Sequence, residues 1–255
     1  MIVRLAALAV CLAGVLTTAC TNPFVPHYEY EEQVYLSVDG HATVVIDTSL
    51  PALVALRGVK INPSGAGVDR TSIREVLEAA GCRVDSVSRL WERQDRQFVQ
   101  IQVSADAVQR LSDCGLLAWS KYSLAPIEDE GLGYLQSIGP PTPGDPGKVV
   151  WQGTELVAFK MHLPSRIRFQ NVKRLDGSNG TSERGNILTW EQRLSDRRAG
   201  VPVAIVVKMD GTSILNTTLL IFAGAFVAAV LVLVSIIWWV VRKGRARRPG
   251  GWKAR

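Results

Sequence analysis

Four cysteines, three histidines and one run of acids are the side chains whose spacing could support chemistry. Leu16-Thr17-Thr18-Ala19-Cys20 closes an apolar run, Leu5 to Leu16, that follows Arg4. This is the order of a secretory signal, too short to span a hydrocarbon core of about 30 Å. Two readings fit its end. As a lipobox, it has the Cys20 thiol acylated and made the mature N-terminus, with Thr17 standing where leucine is most common. As a plain signal, it is cut after Ala19. Cys11 leaves with the signal, and Cys82 and Cys114 remain. In an oxidising exported compartment that pair is a candidate disulfide closing a loop of roughly 33 residues, the alternative being two buried thiols.

His27, His41 and His162 have no second ligand at helical or zinc-finger spacing, and no Cys-x-x-Cys, His-Glu-x-x-His or calcium-loop pattern occurs. No metal or other cofactor is therefore expected. No Gly-x-Ser-x-Gly turn presents a nucleophile. Gly65-Ala66-Gly67 lacks the third glycine of a dinucleotide fingerprint, and Gly139 to Lys148 lacks phosphate-loop spacing. Glu128-Asp129-Glu130 reads as a solvated acidic loop. The expectation is a protein that is not an enzyme. Against it stands a site dispersed over residues such as His41, Asp47 and Glu191, which would leave no pattern.

The elements that must hold these residues begin with the membrane. Gly211 to Val241 contains no charge, and residues 215–241 form an expected transmembrane helix. Trp238 and Trp239 stand at its end, at headgroup level, followed by Arg242, Lys243, Arg245, Arg247 and Arg248. The cation bias puts the tail 242–255 in the cytoplasm and residues 20–210 outside, in a plasma (inner) membrane. Of 255 residues, 29 are Lys or Arg and 23 Asp or Glu, for a net charge of +6. The tail alone carries seven of those cations and no acid, so the body is nearly neutral and no nucleic-acid partner is expected. If Cys20 is acylated, the ectodomain is tethered at both ends.

Within 20–210, YEYEEQVYLS and HATVVIDT flank Val38-Asp39-Gly40 as a hairpin. Ser49-Leu50-Pro51 opens a short helix that Gly58 closes. Ser72 and Glu75 have capping-box spacing for a second helix, which ends at Gly81. CRVDSVSRLWER and RQFVQIQVSA predict strands around Gln94-Asp95-Arg96, then Ala105 to Cys114 a helix and LLAWSKYSLAP a strand. Residues 139–148, GPPTPGDPGK, read as a linker or a long excursion. Beyond them come an expected hairpin turning at Gln152-Gly153-Thr154, then strands at RIRFQNV, NILTWEQRL and VPVAIVVKM. The order predicts an α+β fold: an antiparallel-sheet ectodomain with short helices, as one sheet or as two domains divided at 139–148.

Met161 to Arg198 holds eight cations, Arg197 among them, against four acids. They could face anionic headgroups, or alternate outward along a sheet edge and block edge pairing. From His162 onward the chain resembles the LppM-like bacterial envelope proteins: a leucine-proline strand (Leu163, Pro164) leads to Asn171, then Gly185, Asn186, a strand with Trp190, Pro202 and a final membrane span. The likeness covers about 163–245. It implies an α+β ectodomain without known catalytic residues and, in at least one branch, contact with lipid or glycolipid. The functional expectation is a non-enzymatic envelope (lipo)protein meeting membrane lipids or envelope proteins. The alternative is a lipid or glycolipid carrier with an apolar pocket. Oligomeric state is left open.

Overall fold

The computed structural model describes residues 28–127, 131–183 and 186–246. The chain opens with β1 (Tyr28–Leu36) and β2 (Ala42–Ser49), paired antiparallel through a turn in which Gly40 has φ +89°. In β1 alternate side chains are buried (Tyr30, Glu32, Val34, Leu36), the period of a strand with one face on a core. Helix α1 (Leu50–Arg57) begins where Ser49 Oγ accepts the Ala52 N–H and ends at left-handed Gly58.

Helix α2 (Arg70–Ala79) starts earlier than its sequence suggests. Asp69, not Ser72, is the N-cap, and Ser72 supplies the reciprocal half of the capping box. Short strands β3 (Val84–Val87) and β4 (Trp91–Arg93) then pair with long β5 (Arg96–Ala105). The expected helix at 105–114 is only a 3-10 turn, Val108–Asp113. It is followed by β6 (Ser120–Ile127) and by β7 (Gly131–Ile138), a strand that Gly131 and Gly133 conceal in the sequence.

The hairpin expected at 152–154 does not form. β8 (Leu156–His162) instead lies parallel to β1, and the Glu155 carboxylate captures the Gln152 and Gly153 N–H groups ahead of it. Then come β9 (Ile167–Gln170), β10 (Ile187–Arg193), α3 (Leu194–Arg198), β11 (Val203–Asp210) and the long α4 (Ile214–Ala246).

Two sheets result. One has the order β10-β8-β1-β2-β5-β3, with β4 also on β5; the other has the order β6-β7-β11-β9. All pairs but β1·β8 are antiparallel, and each sheet contains strands from both sides of 139–148. That segment runs against α1: Thr142 N–H bonds Leu56 O, and Gly144 sits so close that an added Cβ would lie 2.7 Å from Val54 O. A single apolar core joins inward residues of both sheets, among them Val44, Ile101, Phe159, Tyr134 and Val207.

Candidate functional site

Three places concentrate unusual chemistry. The first is the seam between the sheets. Glu32, fully buried, accepts hydrogen bonds from Tyr30 Oη (3.1 Å) in its own strand, and from Tyr122 Oη (3.2 Å) and Gln136 Nε2 (3.2 Å) in the facing sheet. Burial raises its carboxyl above the ordinary range, with the nearby Arg57 guanidinium opposing. Arg57 is itself buried against the Trp119 ring (4.2 Å) and donates to the carbonyls of Leu116 (2.6 Å) and Gly115 (3.1 Å). Arg197 approaches the same ring at 5.2 Å and donates to Gly139 O, while its Nε and Nη1 have no protein partner. Arg197 therefore cannot serve as one of the headgroup-facing cations its neighbours in sequence suggested. The Cys82–Cys114 disulfide lies just before the Arg57-binding carbonyls.

The second place is the outer face of the larger sheet. Glu31 lies opposite Asp47, and Ala158 separates Glu31 from Glu191, so three carboxylates share one row across β2, β1, β8 and β10. With Tyr28, Trp91, Arg93, Phe98, Lys160 and Glu183 they line an open cleft of about 470 Å³. Lys160 Nζ bonds Glu31 (3.0 Å), Gln100 Nε2 donates to Asp47 (3.0 Å), Tyr28 Oη to Glu191, and Thr189 Oγ1 to Glu183 (3.0 Å). Burial, the Glu191 hydrogen bond and the surrounding carboxylates push the Tyr28 hydroxyl far up, so it stays a donor. Asp47 is raised by burial first and by Glu31 among the charges. Of the dispersed residues considered from the sequence, Asp47 and Glu191 meet here. His41 does not; it sits 3.9 Å from Asp106. His162 stacks on Tyr35 (3.9 Å between centroids) farther along the same face, and burial lowers its pKa.

The third place is the junction with α4. Only 211–213 separate β11 from the helix, whose first amide, Ile214 N–H, bonds Pro164 O. Thr218–Lys243 is long and apolar enough to cross a membrane, and none of it is buried against the fold. At its end the Arg242 guanidinium lies over Trp238 (5.0 Å) and Lys243 Nζ over Trp239 (4.5 Å). Arg245 falls in the helix; Arg247, Arg248, Cys20 and Gly185 lie outside the described residues, as does the 128–130 acidic run.

The positions near the junction that carry the family resemblance have structural work. The Asn171 side chain bridges to β11, donating to Ala204 O (2.8 Å) and accepting from Val206 N–H (2.9 Å). Asn186, at φ +59°, donates to Ser165 O beside Pro164, and Trp190 is buried in the core. Pro202 immediately precedes β11.

No protein-family model and no curated protein matches the chain. Among solved structures it is similar to the NMR structure of the Mycobacterium tuberculosis LppM folded domain. Identity is 11%, covering 77% of this chain and 98% of that one, at a TM-score of 0.40. A likeness that distant does not place the chain in that protein's family.

Proposed function

We propose that this is a membrane-anchored extracytoplasmic protein of the bacterial cell envelope, non-enzymatic, whose ectodomain contacts lipid or protein partners at the surface of the plasma membrane. The observation that carries the reading is α4: an apolar helix with no fold packed against it, separated from the last strand by three residues. Apolar surface on that scale is stable only in lipid or against a partner. The paired indoles and cations at its far end suit a headgroup layer, and the cation bias orients the tail inward. Acylation of Cys20 would add a second tether at the opposite end of the ectodomain.

The test is protease protection in vesicles of defined sidedness, combined with intact mass of the extracted chain. Trypsin should remove the tail only from inside-out vesicles and attack the ectodomain only from the other side. The reverse pattern, or release of the whole chain by alkaline carbonate, sinks the reading. A diacylglyceryl mass on Cys20 would establish the lipobox. A lipid that copurifies and leaves on unfolding would favour instead a carrier with an apolar pocket for a lipid or glycolipid.

A further inference from the structure

We infer that two copies of this chain pair edge to edge through β10, antiparallel about a twofold at Gln192, so that their larger sheets join into one. The reason starts with the sheet edges. A terminal strand presents backbone N–H and C=O groups to whatever comes beside it, and proteins that stay alone blunt such strands. The two sheets end on β10, on β3 with β4, on β6 and on β9. Arg74 of α2 donates to Val84 O (2.6 Å) and Asp85 O (3.2 Å) on β3, and β4 has three residues. On β6, Ser112 Oγ donates to Ser120 O (2.8 Å), Gln109 Nε2 donates to Leu124 O (3.1 Å), and Pro126 has no N–H to offer. Strand β9 is four residues long and shifts register against β11.

Strand β10 carries none of these devices. Its seven residues, ILTWEQR, include no proline and no lysine. Asn186 O and Leu194 N–H bond to the β8 side at either end, so the even-numbered residues bond β8. Thr189, Glu191 and Arg193 therefore turn their N–H and C=O groups to the open side. Among the described residues that side is bonded at Ile187 alone, whose carbonyl accepts the Glu183 N–H, and a trough of about 360 Å³ lies beside Thr189 and Glu191.

Charge names the occupant. The side chains of Glu191 and Arg193 stand two apart on the outer face of the strand. Glu191 takes the Tyr28 hydroxyl on one oxygen and keeps the other, while the exposed Arg193 guanidinium has no hydrogen bond or ion pair among the described residues. Antiparallel pairing centred on Gln192 sets each Glu191 opposite the partner's Arg193, in two residue pairs that each exchange both backbone hydrogen bonds. The patch thus completes itself, as a twofold contact requires. Past the partner's Leu194 its chain comes opposite Thr189, where the trough lies. The twofold stands perpendicular to the sheet, so both α4 helices enter one bilayer when that axis lies along the membrane normal. A second copy is then one protein partner of the surface reading above, held by β10 and not by α4.

Full chains carrying a donor or an acceptor dye at the C-terminus are mixed in phosphatidylcholine vesicles, and energy transfer is followed as lipid is added. The parent should hold its transfer above that of random encounter over about a tenfold dilution in lipid. Arg193→Glu sets glutamate against glutamate and Glu191→Arg sets arginine against arginine, and each should weaken pairing about tenfold or more. Mixing the two variants restores both opposite-charge pairs and should recover the parent's transfer, which a misfolded variant could not do. Circular dichroism checks each fold. Arg193 is exposed, so its reversal decides alone if Glu191→Arg does not fold. Transfer no higher than random encounter, transfer that survives either reversal, or folded variants that fail to recover when mixed overturns the inference. A chain that does not insert would sink the anchor reading instead, and sedimentation of the same chains in detergent then decides the pairing.

Discussion

Glu32 is the side chain whose environment departs most from its sequence context. In YEYEEQVYL it is one of three acids in a strand, yet it alone points between the sheets among Tyr30, Tyr122 and Gln136, with Glu31 turned to the opposite face. An open-chain glutamate ionises near 4.5, and burial delays ionisation in the fold. The folded state therefore holds a proton that the unfolded state has already lost. Stability on this account is full below pH 4.5 and falls as pH rises from there through the folded pKa, by at most about 1.4 kcal/mol per pH unit. Glu32→Gln should remove that component. Urea unfolding of the detergent-solubilised chain between about pH 4 and 8 should show the variant gaining on the parent as pH rises. A difference between the two proteins that stays constant with pH would refute it. The outward carboxylates of the cleft were equally hard to place. Alternation shows that Glu31 and Asp47 share a face, but only the pairing of β1 with β8, more than a hundred residues later, brings Lys160 and Glu191 beside them.

At the scale of elements, local signals that carry their own mechanism were legible. Ser49, Pro51 and Gly58 bound α1 as their chemistry requires, and β10 and β11 fall on their β-branched and aromatic runs. What escaped depends on partners. Strand β7 reads poorly because its outward positions include Gly131 and Gly133, over which Ile127 lies, and β8 finds its partner in β1 rather than in the residues just before it. The Gly/Pro segment at 139–148 is shaped by α1. Gly144→Ala would place a methyl 2.7 Å from Val54 O and 3.1 Å from Gly58 Cα, backbone atoms that cannot swing aside. It should cost about 2–3 kcal/mol. Gly177→Ala, at φ +80° with open space around it, should lose only about 1 kcal/mol. Equal costs in thermal unfolding would show that the segment does not bear on the helix. The Cys82–Cys114 bond spans 32 residues and fastens the loop whose carbonyls hold Arg57. Replacing both cysteines by alanine should lower stability by about 3–4 kcal/mol, measured by urea denaturation against the oxidised parent. A loss below about 1 kcal/mol would mean that the unfolded chain gains little freedom without it.

For the molecule as a whole, the sandwich and the helix are energetically separate. Both sheets close around one apolar core, and the last strand, β11, is held on both sides by β7 and β9. Among the described residues helix α4 adds no buried surface to that core, and one tie to the fold is the hydrogen bond from the Ile214 N–H to Pro164 O next to the short junction. A chain ended after Ser213 should therefore keep the ectodomain fold while losing its apolar surface. The expected cost is one hydrogen bond, about 1 kcal/mol, because the strand that feeds the helix keeps all its pairings. Such a protein should be soluble without detergent, and its midpoint should lie within about 4 °C of the parent's. A truncated chain that aggregates or loses its near-ultraviolet circular dichroism would show that α4 packs on the ectodomain, and the helix would then have to be counted as part of the core rather than as its anchor.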